Sequence, residues 1–478
     1  MLRGMSQESP TNESNDTGRS RRDLLMAMAG VASTVVLVAF DSTIVSTTLP
    51  RVAVALNGMP LYAWVGTGYL LAMAASIMIF GRLGDLFGRK PLMLISVSVV
   101  ALGSIACGLS QSMEQLIAFR TLQGIGGGMM TATAFAAPAD LFPDARERVR
   151  WMALVSAAFA MASGIGPVLG GAATQALGWR AAFFIAPIAA LVALFLLARY
   201  FPRIRPMHTQ GRKIDWLGGL LLIVVVGAPL AAMELAFAPG DRAQPMLAAG
   251  LALAGLVAIA CLLPYERRVS SPIFPLRVLS GAEPRLLNLA AVAVGATMFI
   301  QIFYAPLLLQ KVLHYSPSEA GLLLTPLVAA ISLGSIINGR LFPKQSEPQR
   351  LMVFGGLMLA VGSLMVLAIG EGTSVYWILL AFAVNGTALG FLLPNLTLFM
   401  QMLSEQRDLG VASALVQTTR AIGSAAGTAL VGIAISHTSV LHGVRIGLGL
   451  CVALSLAAAV IAHRVKMKNV VTRRARRN

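Results

Sequence analysis

LLMAMAGVASTVVLVAFDSTIVSTTL, Leu24 to Leu49, is an almost unbroken apolar run that holds a single acid, Asp41. Crossing the hydrocarbon core of a bilayer takes about 20 mainly apolar residues as a helix, because lipid offers the backbone no hydrogen-bond partner. The run therefore reads as a membrane-spanning helix. An ionised carboxylate at that depth costs about 2.5–3.5 kcal/mol on insertion scales, so Asp41 is a functional candidate by default. Thr34 and Thr48 stand seven residues to either side of it and give the helix a polar stripe, expected to line a cavity.

The rest of the chain repeats the pattern. Of 478 residues, 57% are hydrophobic and only 12% charged, with mean hydropathy +0.77, too little polar surface for a soluble protein of this length. Fourteen spans can be cut at charge, Pro and Gly clusters: 24–49, 61–80, 91–110, 115–141, 151–177, 181–200, 216–237, 245–264, 286–310, 319–341, 351–370, 376–402, 408–436 and 444–463. With these boundaries most of the 37 Lys and Arg fall in alternate connections, which places both termini on the cytoplasmic side by the positive-inside rule. The net charge of +17 is thus topology. A nucleic-acid surface would need a contiguous basic face with interleaved aromatics, which is absent. The bilayer is the expected partner.

The division expected along the chain is a disordered cytoplasmic tail (1–22), a six-helix bundle (23–200), a linker carrying two extra helices (201–285), a second six-helix bundle (286–464) and a basic tail (465–478). GRLGDLFGRKPLML at Gly81 echoes as GRLFPKQSEPQRLMVF at Gly339, as two similar halves would require. The three cysteines lack paired spacing and the five histidines are scattered, so neither a disulfide framework nor a metal site is implied. No GxxxxGK[ST] loop or catalytic constellation is present, which points away from ATP coupling, cofactors and enzymatic chemistry.

Four segments carry specific chemistry: AFDSTIVSTTLP (Ala39–Pro50), GRLGDLFGRK (Gly81–Lys90), RTLQGIGGGMM (Arg120–Met130) and SGIGPVLGG (Ser163–Gly171). In the second, read as a cytoplasmic loop, Gly81 and Gly84 allow close backbone turns, while Asp85, Arg89 and Lys90 can form charge-assisted bonds beside helix ends. Arg120 enters the fourth span from the opposite side and lies about 7 Å deep, against about 13 Å for Asp41, a gap that a long arginine bridges. Burial in general favours a neutral carboxyl group and a nearby cation favours the charged one, so alternating access can alternate protonation. In the fifth span Gly166, Pro167, Gly170 and Gly171 predict a bend or a close helix crossing.

These segments, in this order, resemble the major facilitator superfamily, and within it the fourteen-span drug:proton antiporters of multidrug-efflux type. The resemblance implies an all-α polytopic membrane protein, two six-helix bundles plus two extra central helices. It implies proton coupling through Asp41 and Arg120, and a conformational latch at Gly81, Gly84, Asp85, Gly88, Arg89 and Lys90. It also implies an antiporter-type helix motif at Gly166, Pro167, Gly170 and Gly171, with Ala162 where the family usually has its first glycine. The expected function is proton-coupled export of drugs or other amphipathic toxic compounds across a bacterial inner membrane, by alternating access. A metabolite or vitamin importer on the same scaffold, or a membrane sensor without turnover, are the alternatives. Oligomeric state is left open, and a monomer is compatible with the sequence.

Substrate-pocket candidates are Thr34, Tyr69, Gln123, Gln301, Tyr304, Asn385, Asn395, Gln417 and Arg420. Arg420 lies about 18 Å from the cytoplasmic end of its span, where it can neutralise a substrate acid or balance Asp41.

Overall fold

The computed structural model describes residues 21–142, 145–203, 215–236, 244–269, 276–404 and 409–466. The tails 1–20 and 467–478, most of the basic linker after Arg203, and residues 270–275 lie outside the described residues, as does the side chain of Asp85.

Among the described residues, fourteen long helices account for the fold. In the first half they are α1 Arg21–Ala55, α2 Tyr62–Phe87, α3 Arg89–Leu109, α4 Met113–Ala134, α5 Ala145–Leu177 and α6 Ile185–Tyr200. Two follow as α7 Trp216–Ala236 and α8 Pro245–Glu266. The second half holds α9 Ala282–Lys311, α10 Pro317–Leu341, α11 Gln349–Leu367, α12 Val375–Leu403, α13 Leu409–His437 and α14 Val440–Arg464. Twelve helical stretches, among them all of these helices except α4 and α5, are long and apolar enough to cross a membrane. The remaining two, of 22 and 33 residues, are long enough as well and carry two of the four motifs. No strand occurs among the described residues. Each expected span thus corresponds to one long helix, although 115–141 also takes in the short helix Ala137–Leu141 and 181–200 part of the short helix Trp179–Phe183.

Packing repeats between the halves. In the first bundle α1 packs on α5 and α6, α2 on α4, and α3 on α4 and α6; in the second α9 packs on α13 and α14, α10 on α12, and α11 on α12 and α14. The halves meet along α2 with α13 and along α5 with α10, a pair of seams related by the same repeat, and α1 touches α9 at the centre. The helices α7 and α8 are central in sequence and peripheral in space. They pack on each other, and α7 reaches α2 and α13 at one seam. Met246, Leu253, Leu256 and Val257 of α8 point outward, as a lipid-facing helix demands.

The GRLGDLFGRK segment corrects the expectation of a loop. Gly81 and Gly84 are helical, α2 runs through to Phe87, and the reversal is confined to Gly88 (φ +83°) between α2 and α3. That conformation suits a residue without Cβ. Beyond it Lys90 Nζ donates to the Ala198 and Phe201 carbonyls, 2.7 and 2.6 Å away, so a cation closes the C-terminal end of α6. Arg89 pairs with Asp140, in the short helix Ala137–Leu141 that follows α4. Arg89 and Lys90 therefore tie the first bundle to itself.

The glycines of α4 are there for close approach. A Cβ at Gly124 or Gly128 would overlap the carbonyl of Tyr69 or Met73 on α2, and one at Gly126 would press on Val100 of α3. Gly124→Val is expected to force α2 and α4 apart at a cost of about 1–3 kcal/mol or more. The yield of monodisperse protein in size-exclusion chromatography should fall severalfold, whereas Gly449→Val, at a site with nothing nearby, should leave it unchanged.

The hydrogen bonds between bundles cluster away from Gly88. Among the described residues they are Gln310 Nε2 to the Thr47 carbonyl (2.9 Å), Tyr62 OH to the Phe303 carbonyl (3.2 Å) and Thr67 to Thr428 (3.2 Å). One apolar core spans both bundles at that end, including Leu49, Tyr62, Phe303 and Leu324. Toward Gly88 the first bundle has a separate core of its own, built on Met28, Met93, Leu141 and Leu197. The hydrogen bonds between bundles are thus concentrated at one end, while toward Gly88 the described contact between them is apolar, at Ala74, Met78 and Ala421.

Candidate functional site

Asp41 lies on α1 and Arg120 on α4, and the close α2–α4 packing carries the arginine inward to meet the acid. Arg120 is 0% exposed and Asp41 4%. One guanidinium nitrogen, Nη1, donates to Asp41 Oδ1 at 3.2 Å, to the Asp41 carbonyl at 3.2 Å and to Gln123 Oε1 at 3.0 Å. The Gln123 Nε2 donates to the same Asp41 Oδ1 at 2.7 Å. Gln123, expected in a substrate pocket, is thus part of the charge pair.

Cys107 of α3 fixes its orientation: the Sγ donates to Gln123 Oε1 at 3.2 Å. With two donors on its oxygen, the Gln123 amide presents its nitrogen to the carboxylate. The sequence reading passed over Cys107, because a lone cysteine in an apolar run looks like any small core residue. Tyr69, another pocket candidate, lies under the guanidinium with its ring centroid 4.2 Å from Arg120 Cζ. A desolvated cation over an aromatic face gains about 2 kcal/mol. Asp41 Oδ2, Tyr69 OH and Arg120 Nε and Nη2 are buried without a hydrogen-bond partner among the described residues. Buried polar groups are ordinarily satisfied, so four unsatisfied atoms in one cluster set this point apart.

The polar stripe on α1 departs from expectation. Thr34 is fully buried and its hydroxyl turns back to the Gly30 carbonyl; Thr48 bonds Thr174 of α5 at 2.9 Å. The stripe is taken up by packing instead of lining an open cavity: Asp41 faces Arg120 of α4 and Thr48 faces α5. The reason is the α5 motif itself: a Cβ at Gly166 or Gly170 would overlap Thr43 or the Ile44 carbonyl, so α5 lies flush on α1. On its other face Gly171 meets the Pro317 carbonyl of α10, and Gly321 of α10 meets the Pro167 carbonyl. The expected close crossing is therefore double. Gly164–Gly171 is the strip by which α5 holds α1 of its own bundle and α10 of the other.

Among the remaining candidates, Gln301 Nε2 donates to Ser363 Oγ (3.0 Å) and Asn385 Oδ1 (2.9 Å), joining α9, α11 and α12. This network repeats the α1, α3 and α4 arrangement of Asp41, Cys107 and Gln123 with neutral groups. Asn395 pairs reciprocally with Asn338 of α10, and Tyr304 donates to the Thr428 carbonyl. These four hold helices together. Asn338 and Ser363 were missed; both are isolated polar residues inside apolar spans. Gln417 and Arg420 differ, being partly exposed. Arg420 Nη2 donates to Gln417 Oε1 at 2.6 Å.

A small cavity, lined by Thr43, Ser46, Pro167, Ile302, Leu324, Leu327 and Val328, lies where α1, α5, α9 and α10 converge.

Comparison with known proteins agrees with this architecture. Multidrug resistance protein 3 of Bacillus subtilis (strain 168) is 30% identical over 404 residues, 84% of this chain and 78% of that protein. The methylenomycin A resistance protein of Streptomyces coelicolor (strain ATCC BAA-471 / A3(2) / M145) is 28% identical over 424 residues, 88% of each. The crystal structure of an auto inhibited POT family peptide transporter superposes with a TM-score of 0.66 at 17% identity, over 93% of this chain and 98% of that one, a likeness of fold. A sequence profile of the Major Facilitator Superfamily matches residues 31–428. With that match across two repeated six-helix bundles, the chain belongs to the Major Facilitator Superfamily, as a transporter and not an enzyme.

Proposed function

We propose that this transporter is a proton-coupled antiporter that exports amphipathic toxic compounds across a bacterial inner membrane, with both termini in the cytoplasm. The observation that carries the reading is the sealed Asp41–Arg120 pair, a carboxylate and a cation held by one nitrogen between α1 and α4 at membrane depth. A charge pair so placed is costly to keep for packing alone, and hydrophobic replacements of buried ion pairs are often neutral or better. The multidrug names of relatives near 30% identity favour export of drug-like compounds.

In this reading the Gly88 end faces the cytoplasm and the end that carries the inter-bundle hydrogen bonds faces the periplasm. Cargo enters between the bundles at the Gly88 end. As the bundles rock, the Thr47–Gln310 and Thr67–Thr428 bonds break, the seams open outward and cargo leaves. A periplasmic proton then binds Asp41 at Oδ2, the oxygen that carries no hydrogen bond here. Neutral Asp41 no longer holds Arg120 electrostatically, and return to the inward-open state releases the proton to the cytoplasm. Asp85, Arg89 and Lys90 act as the latch of the outward-open state, and 23–200 and 286–464 move as the two bodies.

Fluorescence dequenching of a pH probe in energised everted vesicles tests the reading, with a panel of dyes, antibiotics and metabolites. Dequenching in wild type that vanishes in Asp41→Asn is the expected result. A response that persists in Asp41→Asn removes Asp41 from the coupling path, and a wild-type protein silent across the panel removes drug antiport.

A further inference from the structure

Arg420 presents a charge that nothing in the described structure neutralises. Arg120 is matched one for one by Asp41. Arg420 has the neutral Gln417 amide as its hydrogen-bond partner and no carboxylate among the described residues. Its position on α13 is interior. On one flank of it Ala421 and Ala425 pack against α2, next to Ala74, Met78, Tyr69 and Leu70. On the other flank Gly423 and Gly427 meet Val292 and Ala296 of α9. The face between those flanks, beside the α2–α13 seam, holds Ser413, Gln417, Arg420 and Ser424 at helical spacing, with Ser413 bonded to Gln401 of α12 and Ser424 to α9.

Three of these four side chains are partly exposed, whereas Ser424 is 1% exposed and bonded to Gly295 and Arg420 carbonyls. Gly295 of α9 lies against the Arg420 backbone carbonyl, which a Cβ there would overlap, and against Arg420 Cγ. The two helices therefore pack flush at Arg420, and the stem of the arginine starts from this contact. Phe299 of α9 and Met73 of α2, both partly buried, pack about Tyr69 and Ala425 one turn further along and supply an apolar aromatic wall. Asp41 and Arg120 cancel one another, which leaves Arg420 as a cation with no acid beside it among the described residues. An intramembrane charge of that kind calls for a partner.

We propose that Arg420 is the anion-binding half of the substrate site, and that the cargo is an amphipathic acid whose carboxylate pairs with Arg420 while its apolar body lies against Phe299 and Met73. Gln417 orients the guanidinium by accepting one of its protons, leaving the other donors for a carboxylate. This assignment rests on the transport reading above and narrows it, since a cationic drug would meet an uncompensated positive charge.

Equilibrium binding tests it without requiring transport. The full chain in phosphatidylcholine nanodiscs, free of anionic headgroups, is titrated with three probes that share one aromatic body: 1-naphthaleneacetate, 1-naphthaleneacetamide and a 1-naphthylmethyl-trimethylammonium cation. The acid is expected to bind about tenfold or more tightly than the amide and the cation, the size of one charge-assisted contact. Arg420→Gln should erase that preference and Arg420→Lys should keep part of it. Gln417→Glu, which gives Arg420 a carboxylate from its own helix and leaves the arginine in place, should also erase it. Equal binding of all three probes to wild type, or a preference for acid that survives both Arg420→Gln and Gln417→Glu, overturns the proposal. Failure of the antiport reading shows separately, as vesicles that respond to no compound while the binding preference stands.

Discussion

Asp41→Asn and Arg120→Gln are each expected to destabilise the folded protein by about 3–5 kcal/mol, because each leaves one buried charge without its partner. The double variant should recover most of that loss. The geometry makes the expectation specific: one Arg120 nitrogen serves the Asp41 carboxylate, the Asp41 carbonyl and Gln123, so the surviving member of the pair cannot turn to a substitute. In Asp41→Asn the arginine keeps the Tyr69 ring at 4.2 Å, which offsets part of the cost. In Arg120→Gln the carboxylate keeps the Gln123 amide at 2.7 Å. Thermal unfolding of the four proteins in one detergent measures the cycle. If the double variant is as unstable as the sum of the singles, the two groups do not stabilise one another. Transport should be absent from all three variants whatever their stability, which separates folding from coupling.

Gly171→Val is expected to stop transport by preventing closure at the end opposite Gly88. Gly171 and Gly321 lie against the Pro317 and Pro167 carbonyls, so at this seam two backbones touch with no side chain between them. An added side chain costs about 1–3 kcal/mol in the closed arrangement and nothing once the seam has parted. A difference of that size moves a two-state equilibrium roughly 5- to 150-fold. Cysteines placed at Thr47 and Gln310, in a chain whose Cys107, Cys261 and Cys451 have been replaced, report the closed state by cross-linking. Their yield should fall severalfold with Gly171→Val and remain high with Gly449→Val, which meets nothing. Unchanged cross-linking in Gly171→Val would mean that the α5–α10 contact is not what closes this end.

The number and approximate positions of the helices were legible in the chain because the bilayer leaves the backbone one solution: every apolar run of sufficient length must bond within itself. Asp41, Arg120 and Arg420 were legible for a related reason, that a charge inside such a run stands out against the cost of keeping it there. Gly88 needed the structure. In sequence it is one glycine of a charged segment that looks like a loop, and only the backbone shows that α2 continues to Phe87 and that a single residue makes the turn. The partners of Thr34, Gln301 and Asn385 needed it as well, since an amide or hydroxyl inside an apolar run reads the same whether it faces cargo, its own helix or a neighbour.

By itself, then, the sequence determined an all-helical membrane transporter, its fourteen spans and the residues that carry charge at depth. Tertiary structure alone decided that α2 meets α13 and α5 meets α10, that α7 and α8 lie outside one seam, that Gln123 and Cys107 join the Asp41 site, and that Arg420 has no acid among the described residues. The physical reason is that lipid is as apolar as the helices it surrounds, so hydropathy cannot say which faces meet. Helix partners are chosen by close fit at small residues and by hydrogen bonds between positions far apart in the chain, and neither leaves a periodic trace along it.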